Sequence, residues 1–73
     1  MAFNILIVDD EESILDSLER TLEEEGYNVL TANTGRGALK KLREEQIILM
    51  LLDLRLPDMG GIDVLRKAKD IQK

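Results

Sequence analysis

The sequence predicts an α/β fold: a three-stranded parallel sheet, doubly wound, with the elements running β-α-β-α-β-α, and of order 2-1-3 if strands one and three are neighbours with strand two on the other flank of strand one. Three observations predict it. Two runs, Phe3 to Val8 and Ile47 to Leu52, are apolar almost without interruption, as strands covered on both faces are. Segments with apolar residues at helical spacing stand between and after the strand-like runs. The alternation covers all 73 residues, with no internal repeat, low-complexity stretch or linker.

The first strand is Phe3 to Val8, broken in polarity only by Asn4 and cut off by Asp9, Asp10, Glu11 and Glu12. Ser13 to Glu25 then reads as an amphipathic helix with Ile14, Leu15, Leu18 and Leu22 on its buried stripe, acidic residues near its start and Gly26 as its stop. A short second strand spans Tyr27 to Ala32 around Val29-Leu30-Thr31. Asn33 or Thr34 caps a second helix whose buried edge is Ala38, Leu39 and Leu42, and Gly35 and Gly37 weaken its first turns. Ile47 to Leu52 is the third strand, expected to be buried and ended by Asp53. Beyond the loop Leu56-Pro57-Asp58-Met59-Gly60-Gly61, a third helix places Ile62, Leu65 and Ala68 on one face, widened by Val64 and Ile71.

Composition narrows the chemistry. Hydrophobic residues make up 44% of the chain and charged residues 34%, a balance that supports a folded domain rather than a disordered segment. With no cysteine and no histidine, disulfides, thiol nucleophiles, histidine bases and Cys/His zinc sites are excluded, so any metal is held by oxygen. A net charge of −5 argues against a nucleic-acid-binding surface, and the longest apolar run is too short to span a bilayer. A cytosolic protein without a direct nucleic-acid or membrane partner is the expectation.

In open α/β sheets ligands bind beyond the carboxyl ends of the strands, where strand order reverses. In order 2-1-3 that point brings together Asp9 and Asp10, at the end of strand one, and Asp53, at the end of strand three. Two unit charges about 5 Å apart repel by roughly 3 kcal/mol at an effective dielectric near 20, and a hard divalent cation resolves the conflict. Mg²⁺ suits the site because it takes oxygen ligands, keeps several waters and needs only one or two carboxylates plus phosphate. A carboxylate is also a nucleophile toward phosphorus, and Asp53, alone at its strand end, is the better-placed one. An acidic run between strand and helix is as often a helix cap with favourable dipole charges. Two apolar strands that each end in Asp, one followed by Leu-Arg-Leu-Pro-Asp-Met-Gly-Gly, tip the balance toward function.

The segments ILIVDDEESIL, NVLTANTGRGAL and LLDLRLPDMGGIDVLRK, in that order and spacing, resemble the first three βα units of a bacterial two-component response-regulator receiver domain. The resemblance implies a partial flavodoxin-like fold in which residues 1–73 form a single truncated receiver, lacking the last two βα units. It makes Asp53 the phosphoacceptor for a sensor histidine kinase, Asp10 a direct Mg²⁺ ligand, Asp9 a ligand through water and the backbone carbonyl of Arg55 a further ligand. Pro57 would shape the loop and Gly61 would let it enter the third helix. The Leu-Arg-Leu-Pro wording is similar to receivers of the nitrogen-regulatory enhancer-binding type.

Gly60 and Ile48 stand where the family usually carries acidic residues, and the family's later hydroxyl residue and lysine would lie beyond Lys73. The resemblance therefore implies a phosphoacceptor, not an enzyme, with impaired switching. The alternative is a truncated or engineered half-domain that self-assembles without productive phosphorylation. A haloacid-dehalogenase-type phosphatase fits worse, because Arg55 occupies the place of its second acid. Winding that puts helix one on one face and helices two and three on the other leaves strand three an open edge beside a partly uncovered face. A homodimer or higher assembly through that edge and face is expected.

Overall fold

In the computed structural model, which describes residues 4–53 and 55–71, the chain runs β1 (Asn4–Val8), α1 (Glu12–Glu24), β2 (Asn28–Ala32), α2 (Gly35–Glu44), β3 (Ile47–Leu52) and α3 (Gly61–Ile71). Phe3, the expected first residue of strand one, lies outside the described residues, as do Leu54 and Lys73. The strands pair in parallel, as the apolar runs predict, and in the expected order β2-β1-β3.

Because successive strand residues point to opposite faces, β1 feeds two cores at once. Leu6 and Val8 pack with Ala32, Ala38, Leu39, Leu42 and Val64 on the side of α2 and α3. Ile5 and Ile7 pack with Leu15 and Val29 on the side of α1, where Leu18 and Leu22 close the layer. The expected division of helices between the faces is present.

Helix ends follow local chemistry. Gly26, at φ +94°, ends α1: its N–H donates to the Glu23 carbonyl at 3.0 Å while that of Tyr27 donates to Leu22 at 3.2 Å. This is a Schellman motif, which needs a left-handed residue, and glycine adopts it without strain. Thr34, one of the two candidate caps, is the one used, its Oγ1 accepting from the Gly37 N–H at 3.0 Å.

Three expectations are corrected. Ile62 and Leu65 are not core: they are 53% and 44% exposed, and α3 packs through Val64, Ala68 and Ile71. At about 100° per residue, positions 61, 64, 68 and 71 share one face and 62 and 65 fall outside it. Ile14, placed on the buried stripe of α1, sits at that stripe's margin and is 37% exposed.

The third correction concerns β3, which is not buried. Ile48, Leu49 and Leu51 are exposed, while Ile47, Met50 and Leu52 pack against the core beneath α2 and α3. Leu49 and Leu51 lie in register with Ile5 and Ile7 on the α1 face, but α1 covers β1 and β2. A register shift between Asn4 and Ile5 inserts Ile48 as an extra residue. An apolar run thus marks a strand whose covering depends on its place in the sheet, which the run itself does not encode.

Candidate functional site

Parallel pairing continues one residue past the strands and builds the site. The Asp9 N–H donates to the Ala32 carbonyl at 3.1 Å, and the Asp53 N–H donates to the Val8 carbonyl at 2.9 Å. These bonds hold the first residues after β1 and β3 side by side. Carboxylate oxygens of Asp9, Asp10 and Asp53 all lie within 4.8 Å of one another. Asp9 and Asp53 are half-buried and Asp10 is exposed, so the group faces solvent on one side. The topological argument from order 2-1-3 therefore delivers its predicted convergence.

Each carboxylate is shaped by its own turn. Asp9 Oδ1 accepts from the Glu11 N–H at 3.0 Å, which bends the chain between β1 and α1. Asp53 Oδ1 accepts from the Arg55 N–H at 3.0 Å, placing the Arg55 backbone beside the Asp53 carboxylate. One oxygen of each of these groups is thereby held in place, and the other is free of hydrogen bonds among the described residues. Three carboxylates this close form an all-oxygen donor set of the kind hard divalent cations take. Neither Glu11 nor Glu12 supplies a side-chain cap at the start of α1, so the cap explanation of the acidic run fails for those two residues.

Beside the carboxylates opens a depression of about 390 Å³ between α1 and the end of β3. Asp9, Glu11, Asp53 and Arg55 form its polar end, and Ile14, Leu18 and Leu51 its apolar flank.

The loop between β3 and α3 is tightly folded. Arg55 and Gly60 form an antiparallel bridge, Pro57 is exposed at the turn, and Gly61 is buried as the first residue of α3. Gly61 thus stands where the loop enters the helix.

The residue that sequence reasoning missed is Asp58. Its Oδ1 accepts from the Gly35 N–H at 2.7 Å and its Oδ2 from the Arg36 N–H at 2.9 Å, so it caps α2 from a different loop. No local signal marks it, because its partners are 22 and 23 residues away. The Arg36 and Gly35 amides hold the Asp58 carboxyl below its ordinary value, with the Arg36 charge adding to the effect. A lowered folded value means that the cap stabilises fully above the unfolded-state value and is lost as pH falls through the folded one. The melting temperature of the native chain should exceed that of Asp58→Asn at neutral pH, and the gap should close on acidification. A gap independent of pH would show that ionisation of Asp58 does not contribute.

A parallel α/β sheet with acidic groups gathered at its switch point is a doubly wound domain with its ligand end in the usual place, and comparison with known proteins gives the family. The response regulator receiver domain model matches residues 5–73. The chain belongs to the response regulator receiver domain family. It is 48% identical over 65 residues to the alkaline phosphatase synthesis transcriptional regulatory protein PhoP of Bacillus subtilis, covering 89% of this chain and 27% of that protein. It is 51% identical over 61 residues to the transcriptional regulatory protein KdpE of Mycobacterium tuberculosis, covering 84% of this chain and 27% of that protein. A CheY-like receiver domain protein from Methanospirillum hungatei superposes with a TM-score of 0.96 at 44% identity, over 99% of this chain and 58% of that one. The chain thus spans about a quarter of the length of these two relatives and 58% of that receiver structure. Among the described residues no helix is long and apolar enough to cross a membrane.

Proposed function

We propose that this receiver accepts a phosphoryl group on Asp53 in a Mg²⁺-dependent step, with a sensor histidine kinase as donor. The single observation that carries the proposal is the gathering of Asp9, Asp10 and Asp53 oxygens within 4.8 Å at the carboxyl ends of β1 and β3. Asp10 and Asp53 would bind the ion directly, Asp9 through water and Arg55 through its backbone carbonyl. Held there, a divalent ion would supply positive charge that offsets the repulsion between the Asp53 carboxylate and an incoming phosphoryl group. An Asp53 oxygen bonds to phosphorus as the bond from phosphorus to the donor imidazole nitrogen breaks, and that nitrogen keeps the electron pair. The chain is in this reading a phosphoacceptor, not an enzyme. Treatment with a small-molecule phosphodonor and Mg²⁺ should add the mass of one phosphoryl group, and a folded chain that gains none would contradict the proposal.

The Leu54–Pro57 wording supports the nitrogen-regulatory enhancer-binding subtype, and the net charge of −5 supports a segment without its own nucleic-acid surface. Cytoplasmic placement follows from a kinase-fed signalling role.

For the 73-residue chain itself, self-association through β3 is also part of the proposal. β3 pairs with β1 on one side, its IILMLL sequence carries no charge, and Ile48, Leu49 and Leu51 are exposed. An uncharged edge strand offers backbone donors and acceptors that a second copy of the same strand satisfies. Sedimentation at micromolar concentration should give a dimer or larger species, and Leu49→Lys should shift it to monomer. A native chain that sediments as a monomer would overturn this part.

A further inference from the structure

The loop that carries Asp53 is pinned at two places. Its base is closed by the bridge between Arg55 and Gly60. Its tip is tied to another helix, because both oxygens of Asp58 are taken by the Gly35 and Arg36 amides. Those amides are among the four at a helix N-terminus that have no partner within the helix, and Thr34 already satisfies that of Gly37. Contact between the tip and α2 is close: a Cβ built on Gly35 would collide with the Met59 side chain and stand 3.1 Å from Val64. Glycine at position 35 therefore serves the approach of the loop, although in sequence it reads as a weakness of the helix.

We infer that Asp58 is a positioning residue for the metal site: by clamping the loop tip onto α2, it holds the Arg55 backbone in its ion-binding conformation before the ion arrives. The inference rests on the proposed Mg²⁺ site. Asp58 is not itself a ligand, since its oxygens point to α2 and are occupied there. A loop left free at its tip would have to be ordered by the ion, and that ordering would be subtracted from the binding free energy. The clamp moves the cost into folding.

Mn²⁺, which shares the oxygen preference of Mg²⁺, is a convenient probe because its free form is counted directly by electron paramagnetic resonance. Asp58→Ala should weaken Mn²⁺ binding on the order of tenfold, the lower end of what groups supporting metal ligands contribute. Asp58→Asn, which keeps one accepting oxygen, should lose less. Thr34→Ala serves as control: it uncaps the same helix end without touching the loop, so it should lower the melting temperature and leave Mn²⁺ affinity unchanged.

Equal affinity in native and Asp58→Ala chains would overturn the inference, as would a loss in Thr34→Ala as large as that in Asp58→Ala. If Asp58→Ala does not fold, Asp58→Asn decides, and native affinity in that folded variant overturns the inference. A native chain that binds no Mn²⁺ sinks the metal reading, and the inference with it.

Discussion

Asp53→Asn is expected to abolish phosphorylation altogether while leaving the fold in place. The substituted side chain keeps a carbonyl oxygen that accepts from the Arg55 N–H, as Asp53 Oδ1 does at 3.0 Å, so the turn survives. What disappears is the anionic nucleophile, because an amide oxygen does not displace a leaving group from phosphorus at a useful rate. One negative charge also leaves a cluster whose oxygens lie within 4.8 Å of one another. Without Mg²⁺ the variant should melt at a higher temperature than the native chain, since like charges at this spacing oppose folding. With saturating Mg²⁺ the order should narrow or reverse. Intact mass after phosphodonor treatment and thermal melts with and without Mg²⁺ check both halves. A phosphoryl adduct on Asp53→Asn would show that another residue is the acceptor.

Leu6→Ala should come close to unfolding the chain. Leu6 has no solvent exposure, lies on the central strand, and packs in the core formed with Val64, Ala38 and Leu39. Truncating such a residue costs about 2–5 kcal/mol, the loss growing with the cavity left behind. Domains carry only about 0.05–0.15 kcal/mol of stability per residue, so in a chain of 73 residues that loss is a large share of the total. Leu65→Ala provides the contrast: at 44% exposure on the outer side of α3, it should change stability by less than about 0.5 kcal/mol. Urea denaturation of the two variants measures the difference. Equal losses would mean that α3 packs through Leu65 in solution.

The parallel sheet was legible in the sequence because a continuous apolar run has few structural uses, whereas its order entered through the family resemblance. The three carboxylates were legible because strand ends in such sheets have a fixed meaning: Asp9 and Asp53 follow directly on strands, Asp10 stands one residue further, and the order 2-1-3 brings those ends together. Local rules also narrowed the cap of α2 to Asn33 or Thr34, of which the structure uses Thr34, and placed the stop of α1 at Gly26. Three features were illegible for a shared physical reason. The exposure of Leu49 and Leu51 depends on where α1 lies across the sheet, and α1 sits over β1 and β2. The packing line of α3 depends on the rotation of that helix against the core, which several apolar residues on its surface leave open. Asp58 depends on two amides that are distant in sequence and adjacent in space. Periodicity and turn chemistry report on neighbours along the chain, whereas these three features are set by neighbours across it.

A Mg²⁺ titration of the native chain, followed by amide NMR, tests the proposed ion site most directly. Dispersed resonances should be present from the start, and saturable shifts should concentrate at Asp9, Asp10, Asp53 and Arg55, with smaller ones at Gly35 and Arg36 where the loop is clamped. A folded spectrum in which those amides ignore Mg²⁺, or shift no more than those of acidic residues elsewhere such as Glu23 and Glu24, would contradict the ion-binding site and the phosphoryl chemistry built on it.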